Sequence, residues 1–201
     1  MEGAGGYNPF KYAYTNNVFS ALFIKQNNII YAELSNGKLD NNGRLVEADG
    51  VYHPPNGPDS HYKYVITYDV NGYISTLVNT NLNTNTVSKD EFVFLDGNMI
   101  KDINTVNGQP NYREEYTYYD NLPNKLSFDY LREVGSFFTD GLTGKRSKNL
   151  RKTMQNFDAQ NVKNIDYSYT YDLDAQGYPL KYRLKNVATN FESEYIMLYN
   201  K

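Results

Sequence analysis

Alternation of apolar and polar side chains organises this chain. From His61 to Asp69, one face of an extended strand would carry Tyr62, Tyr64, Ile66 and Tyr68, and the other Lys63, Val65 and Thr67. The alternation returns with Tyr112, Glu114, Tyr116 and Tyr118 set against Arg113, Glu115 and Thr117. It returns again with Tyr167, Tyr169 and Tyr171 set against Asp166, Ser168 and Thr170. Successive side chains of a strand point to opposite faces. An apolar-leaning face opposite a polar one is the pattern of an antiparallel sheet covered on one side.

Turn chemistry follows two of these runs. Asp69-Val70-Asn71-Gly72-Tyr73 and Asp174-Ala175-Gln176-Gly177-Tyr178 close them, and Asp40-Asn41-Asn42-Gly43 has the same form. Asp at the first position of a type I turn can accept bonds from the backbone two residues on. Gly supplies the positive φ that closes the hairpin. Asp96-Gly97-Asn98 predicts a tighter turn. The middle run is followed by a degraded copy, Asp120 to Pro123, read as a turn in which the fixed proline φ is tolerated. About ten to twelve strands are expected, at 28–34, 45–52, 61–69, 73–79, 90–96, 98–104, 111–119, 124–130, 163–172, 178–186 and 191–199. Residues 16–25 and 130–142 break the rhythm and predict short helices, the first with Asn16 or Asn17 as its N-cap. The fold class is therefore all-β in a single domain, 1–201. A weak internal duplication, 7–96 and 121–199, is suggested by the order of proline segment, helix, connector and tyrosine hairpin.

Composition adds limits. Tyrosine occurs 21 times against 10 phenylalanines, with no tryptophan. Net charge is −3, which argues against general nucleic-acid binding, where affinity rests on neutralising phosphates. The one basic run, Lys145, Arg146, Lys148, Arg151 and Lys152, reads as a solvated connector, or else as a contact for an acidic partner. Cysteine is absent, which removes disulfides, thiol catalysis and Cys-bound zinc. No apolar run is long enough for a transmembrane helix. No signal peptide is visible, and Met1 to Gly6 is compatible with a start that replaces a removed leader.

Catalytic patterns do not assemble. His53 and His61 are the only histidines and read as surface residues, so no histidine-based triad or metal site is expected. Gly141-Leu142-Thr143-Gly144-Lys145 lacks the first glycine and the final Ser or Thr of a phosphate loop. Asp172-Leu173-Asp174 lacks the glutamate that a calcium loop needs at its twelfth position, which is Arg183 here. Glu114 and Glu115 point to opposite faces of a strand. No cofactor is expected, and the chain is read as non-catalytic.

Tyr167 to Pro179, as Tyr-x-Tyr-x-Tyr-Asp-x-x-x-x-Gly-Tyr-Pro, resembles the hairpin units of the DUF4595 family of secreted Bacteroidetes lipoproteins. Asn8-Pro9-Phe10 and Ser147-Lys148-Asn149-Leu150 also resemble elements of that family. The YD repeats of large bacterial shell proteins share Tyr-Asp and Gly but form longer, more regular arrays. The resemblance implies a porin-like fold, a strongly curved antiparallel meander or half-barrel. It also implies a cell-envelope location, periplasmic or surface-exposed, with a lipid anchor only if a leader bearing the lipobox cysteine has been removed. It implies no activity for any residue. The charged second face, with Lys63, Arg113, Glu115, Asp166 and Lys181, argues against a lipid-embedded barrel.

Three readings of function come first, with an enzyme ranked fourth. In the first, a sheet face lined by Tyr62, Tyr64, Tyr68, Tyr116, Tyr118, Tyr167, Tyr169 and Tyr171 binds a glycan or peptide, since tyrosine offers a ring for stacking and a hydroxyl for bonding. In the second, the protein is a structural or assembly component of a surface complex. In the third, it carries a lipid-like ligand. Exposed Tyr beside Asn and Asp on the concave face would favour glycan, exposed Leu, Ile, Phe or Met lipid, and a filled face a structural role.

Overall fold

The computed structural model of the protein describes residues 10–15, 18–24, 30–125 and 142–197. They form one antiparallel sheet of thirteen strands. The strands are β1 (Phe10–Thr15), β2 (Val18–Ile24), β3 (Ile30–Leu39), β4 (Leu45–Tyr52), β5 (Ser60–Tyr68), β6 (Ile74–Asn81) and β7 (Thr86–Leu95). There follow β8 (Asn98–Val106), β9 (Gln109–Pro123), β10 (Asn149–Asp158), β11 (Lys163–Leu173), β12 (Pro179–Asn186) and β13 (Glu192–Ile196). Each strand pairs with its neighbours in sequence, from β1 at one edge to β13 at the other.

The turns form by the mechanism expected of them. Asp69 Oδ1 accepts from the backbone N–H of Asn71 and of Tyr73, both at 2.9 Å. Asp174 Oδ1 accepts from Gln176 at 2.9 Å and Tyr178 at 2.8 Å. Asp40 repeats the arrangement with Asn42 and Arg44. A fourth turn of this kind, at Asp158, was hidden in the sequence because Asn161, at φ 62°, stands where the others have glycine. Gly72 (φ 88°) and Gly177 (φ 81°) sit in the left-handed region that β-branched residues resist. Gly72→Val and Gly177→Val are each expected to destabilise the protein by about 1 kcal/mol or more. Unchanged melting of both variants, followed by circular dichroism, would contradict the turn assignment.

One face of the sheet carries the core. Tyr64, Ile66, Leu77, Phe92, Met99 and Tyr116 are buried in a first cluster, and Leu150, Tyr169, Tyr182 and Met197 in a second. Met154 packs against both. A curved single sheet buries side chains on its inner face, so the face that carries these clusters is the concave one. The convex face is laced by ion pairs. Glu47 meets Lys38 and Lys63, Glu115 meets Lys101 and Arg113, and Glu194 meets Lys181 and Arg183. Exposed pairs of this kind contribute little individually.

A crossing segment, residues 142–148, runs along the hairpin ends. Leu45 N–H donates to Leu142 O (2.8 Å), Lys145 N–H to Gly72 O (2.9 Å) and Lys148 N–H to Gly97 O (2.9 Å). Met99 N–H donates to Ser147 Oγ at 3.0 Å, and Asn149 N–H to Asn98 Oδ1 at 3.0 Å. The β3–β4, β5–β6 and β7–β8 turns are thereby joined through a stretch that lies far from them in sequence.

Three expectations require correction. The helix expected at 16–25 is strand β2 over Val18–Ile24, whose Cα partners run along both β1 and β3. Pairing on both sides supplied what its irregular pattern did not announce. The helix expected at 130–142 falls almost wholly outside the described residues. Asp120 to Pro123 is not a turn, because β9 continues to Pro123 and pairs there with Asn149. The partner of β9 is β10, in the segment read as a solvated basic connector, while residues 126–130 of the expected return strand lie outside the described residues. Bulges at Asn149/Arg151, Arg151/Thr153 and Asn156/Phe157 break the period of two, which concealed β10.

Candidate functional site

The eight tyrosines expected to line a binding face all lie on the concave face or its rim, and all are in the core or packed against it. Tyr64, Tyr116 and Tyr169 are each only 5% exposed. Several hydroxyls are spent on backbone carbonyls. Tyr68 donates to Leu45 O (2.7 Å) and approaches Leu142 O (2.9 Å), Tyr118 donates to Met99 O (2.7 Å), and Tyr171 donates to Arg151 O (2.9 Å). Tyr169 points its hydroxyl at Met154 Sδ, 3.6 Å away. Burial pushes the Tyr64, Tyr68, Tyr116 and Tyr169 phenols above their ordinary range. Five of the eight are half-buried, and two of these, Tyr62 and Tyr167, lie at either side of a polar band. Tyr62 stacks on Tyr64 with ring centroids 6.2 Å apart.

That band was not foreseen, and register builds it. Asn79 of β6 faces Ser88 of β7, and Asp90 of β7 faces Asn104 of β8. Asn104 in turn faces Tyr112 of β9, and Asp102 faces Glu114. Glu114 faces Asn156 of β10. Because the side-chain period is two, all of these project from the concave face with Tyr62 and Tyr167. Asp90 Oδ1 accepts from Asn104 Nδ2 (2.6 Å) and from the Tyr112 hydroxyl (3.1 Å). Asn104 also bonds Ser88 and Asn111. Glu114 accepts from the Tyr116 hydroxyl and from Asn156 Nδ2 at 3.2 Å. Asn79 Oδ1 and Asp102 Oδ1 are buried without a hydrogen-bond partner. Burial, with Asp90 and Glu114 close by, pushes the Asp102 carboxyl up to about 8, and burial raises Asp90 as well. The sequence did show Glu114 on the tyrosine face. The signal overlooked was that Asp90, Asp102 and Asn104 also occupy inward positions of their strands.

Arg151 is the second surprise. It is 2% exposed, and its guanidinium lies 4.4 Å from the Tyr116 ring centroid and 5.7 Å from that of Tyr169. It is thus a core residue of β10 and not part of a solvated connector. The two histidines differ. His61 is exposed, whereas His53 is half-buried between Asp59 (2.9 Å) and Glu33 (3.1 Å). Those carboxylates, Asp59 foremost, raise the His53 pKa against the opposing effect of burial. His53 ties the β4–β5 loop to β3.

A cleft of about 720 Å³ opens where β8 and β9 diverge and residues 147–149 enter between them. Its walls include Asp96, Asn98, Tyr116, Tyr118, Asp120 and Lys148. Among the described residues, no three or more His, Asp or Glu side chains are grouped so as to hold a metal ion. No helix among them is long and apolar enough to cross a membrane.

No family model matches the chain, and no curated protein matches it. Among solved structures, a porin-like protein from Bacteroides vulgatus superposes with a TM-score of 0.68 at 10% identity, over 94% of this chain and 84% of that one. A porin-like protein from Bacteroides uniformis aligns over 92% and 91% of the two chains, also at 10% identity, with a TM-score of 0.37. The first likeness extends to the fold: the chain is a curved antiparallel sheet similar to that of a porin-like Bacteroides protein.

Proposed function

We propose that the protein is a non-catalytic cell-envelope binding module whose recognition surface is the polar band of the concave face, and that its ligand is a glycan. The observation that supports this is the combination of half-buried Tyr62, Tyr112 and Tyr167 with Asn79, Asp90, Asn104, Glu114 and Asn156 on one curved surface. Placing carboxylates and amides on a core face costs stability unless something is gained, since polar groups lose water there. Apolar side chains at these positions would serve the fold alone better. The envelope location rests on likeness of fold to a porin-like protein of a Bacteroides species. The charged convex face supports a protein at the membrane or beside it over one embedded with its strands in lipid, which needs an outward apolar band.

Tyr64 and Tyr169 are too deeply buried for a binding test, because truncating them would unfold the core. The test is a glycan array with the intact protein beside a Tyr62→Ala, Tyr167→Ala variant. Aromatic stacking contributes about 0.5–1.5 kcal/mol per ring, so the folded double variant is expected to bind roughly tenfold or more weakly. Failure of the intact protein to bind any glycan, or equal binding by the folded variant, would favour the structural reading.

A further inference from the structure

We propose that the acidic centre of the band, Asp90, Asp102 and Glu114, receives a protonated amino group, so that the glycan is an amino sugar with a free ammonium. This rests on the glycan-binding reading and narrows it. The three carboxylates come from adjacent strands β7, β8 and β9, and no ion pair from the described residues reaches any of them. The convex face follows the opposite rule, with Glu47, Glu115, Asp172 and Glu194 all held by lysine or arginine. The described residues therefore have cations to pair with carboxylates and place none of them in an ion pair at this centre.

Asp102 supplies an independent observation. It is only 7% exposed, and its Oδ1 has no hydrogen-bond partner. Asn79 Oδ1 is also a buried acceptor without a donor, but the register sets it two strands and four residues away from Asp102, outside this centre. An unfilled buried acceptor beside two further carboxylates calls for a compact group that offers several donors and a positive charge. An ammonium offers three donors and no acceptor. A neutral hydroxyl offers one donor and no charge, and the described residues do not form a metal cage.

Protons make the idea measurable. The groups facing Asp102 are Asp90 from β7 and Tyr112, Glu114 and Tyr116 from β9, with Arg151 of β10 held over the Tyr116 ring. With its carboxyl near 8, Asp102 is protonated at pH 6.5 in the empty site. An ammonium beside it favours the carboxylate, so binding expels the Asp102 proton to solvent.

Titration calorimetry at pH 6.5, in two buffers of different ionisation enthalpy, would compare four probes: a fully deacetylated β-1,4-glucosamine tetramer, its N-acetylated form, a glucose tetramer and a lysine-containing tripeptide. The deacetylated tetramer is expected to bind at least tenfold more tightly than the other saccharides and to release up to one proton. Asp102→Asn is expected to weaken that binding at least tenfold and to abolish the proton release. If this variant fails to fold, Asp90→Asn and Glu114→Gln carry the affinity test. Equal binding of acetylated and deacetylated tetramers would overturn the ammonium site and leave the glycan reading standing. Binding of the tripeptide alone would support the ammonium site and overturn the glycan reading. Binding of none of the four would overturn both.

Discussion

Gly144→Ala is expected to lower the melting temperature by roughly 5–15 °C, the largest effect of an added methyl group at any glycine of the described residues. Gly144 has a φ of 81°, and a Cβ built there would lie 2.5 Å from the carbonyl oxygen of Gly72. That same oxygen accepts the Lys145 N–H, so the crossing segment cannot retreat without breaking its bond to the β5–β6 turn. The Tyr68 ring blocks the other direction at 3.0 Å. Left-handed strain and overpacking together come to about 2–4 kcal/mol. Gly43→Ala is the control. Its φ is 76°, and nothing lies within 4 Å of the added carbon, so it carries the strain of about 1 kcal/mol alone. Thermal melts of the two variants separate backbone conformation from contact. Equal losses would show that the crossing segment does not hold the turns together.

Arg151→Ala is expected to cost about 3–5 kcal/mol, in the range of large core truncations. It removes a side chain that is 2% exposed and lies over two tyrosine rings. A desolvated cation over an aromatic face contributes about 2 kcal/mol or more, and the aliphatic stem adds packing. Arg151→Met keeps much of the volume and removes the charge. Replacing a buried charge with a well-packed apolar side chain is often tolerated, so this variant is expected to recover more than half of the loss in urea unfolding. Equal destabilisation by Ala and Met would assign the stabilisation to the cation and not to packing.

Local chemistry was legible in the sequence and long-range chemistry was not. The Asp-x-x-Gly turns could be read because each is completed within five residues. The inward alternation of β5, β9 and β11 could be read because their bulges spare the tyrosine positions. Strand β10 could not, since its bulges erase the alternation and its basic residues look like surface. Arg151 reads as solvated in the sequence, because only the folded sheet brings Tyr116 and Tyr169 to its two sides. The tyrosines were placed on the right face, yet whether each was core or groove depended on curvature, which alternation does not encode. The polar band needed the register of five strands at once, and a slip of one residue in any of them would have dispersed it.

Strict succession of the strands bears on how the sheet grows. Each strand meets its partner as soon as the next hairpin is made, so the sheet can assemble in the order of synthesis, with short loops to close at every step but the one between β9 and β10, residues 124–148. The crossing segment interrupts this rule. It emerges only after nine strands and engages the ends of three hairpins already formed. Those hairpins are thereby counted: deleting or inserting one among β3 to β8 would set every later turn out of step with its bond. The strands beyond β10 carry no such bond to 142–148 among the described residues. Sheet width is consequently free to change at the C-terminal edge, one hairpin at a time, while the centre that carries the acidic band keeps a fixed number of strands.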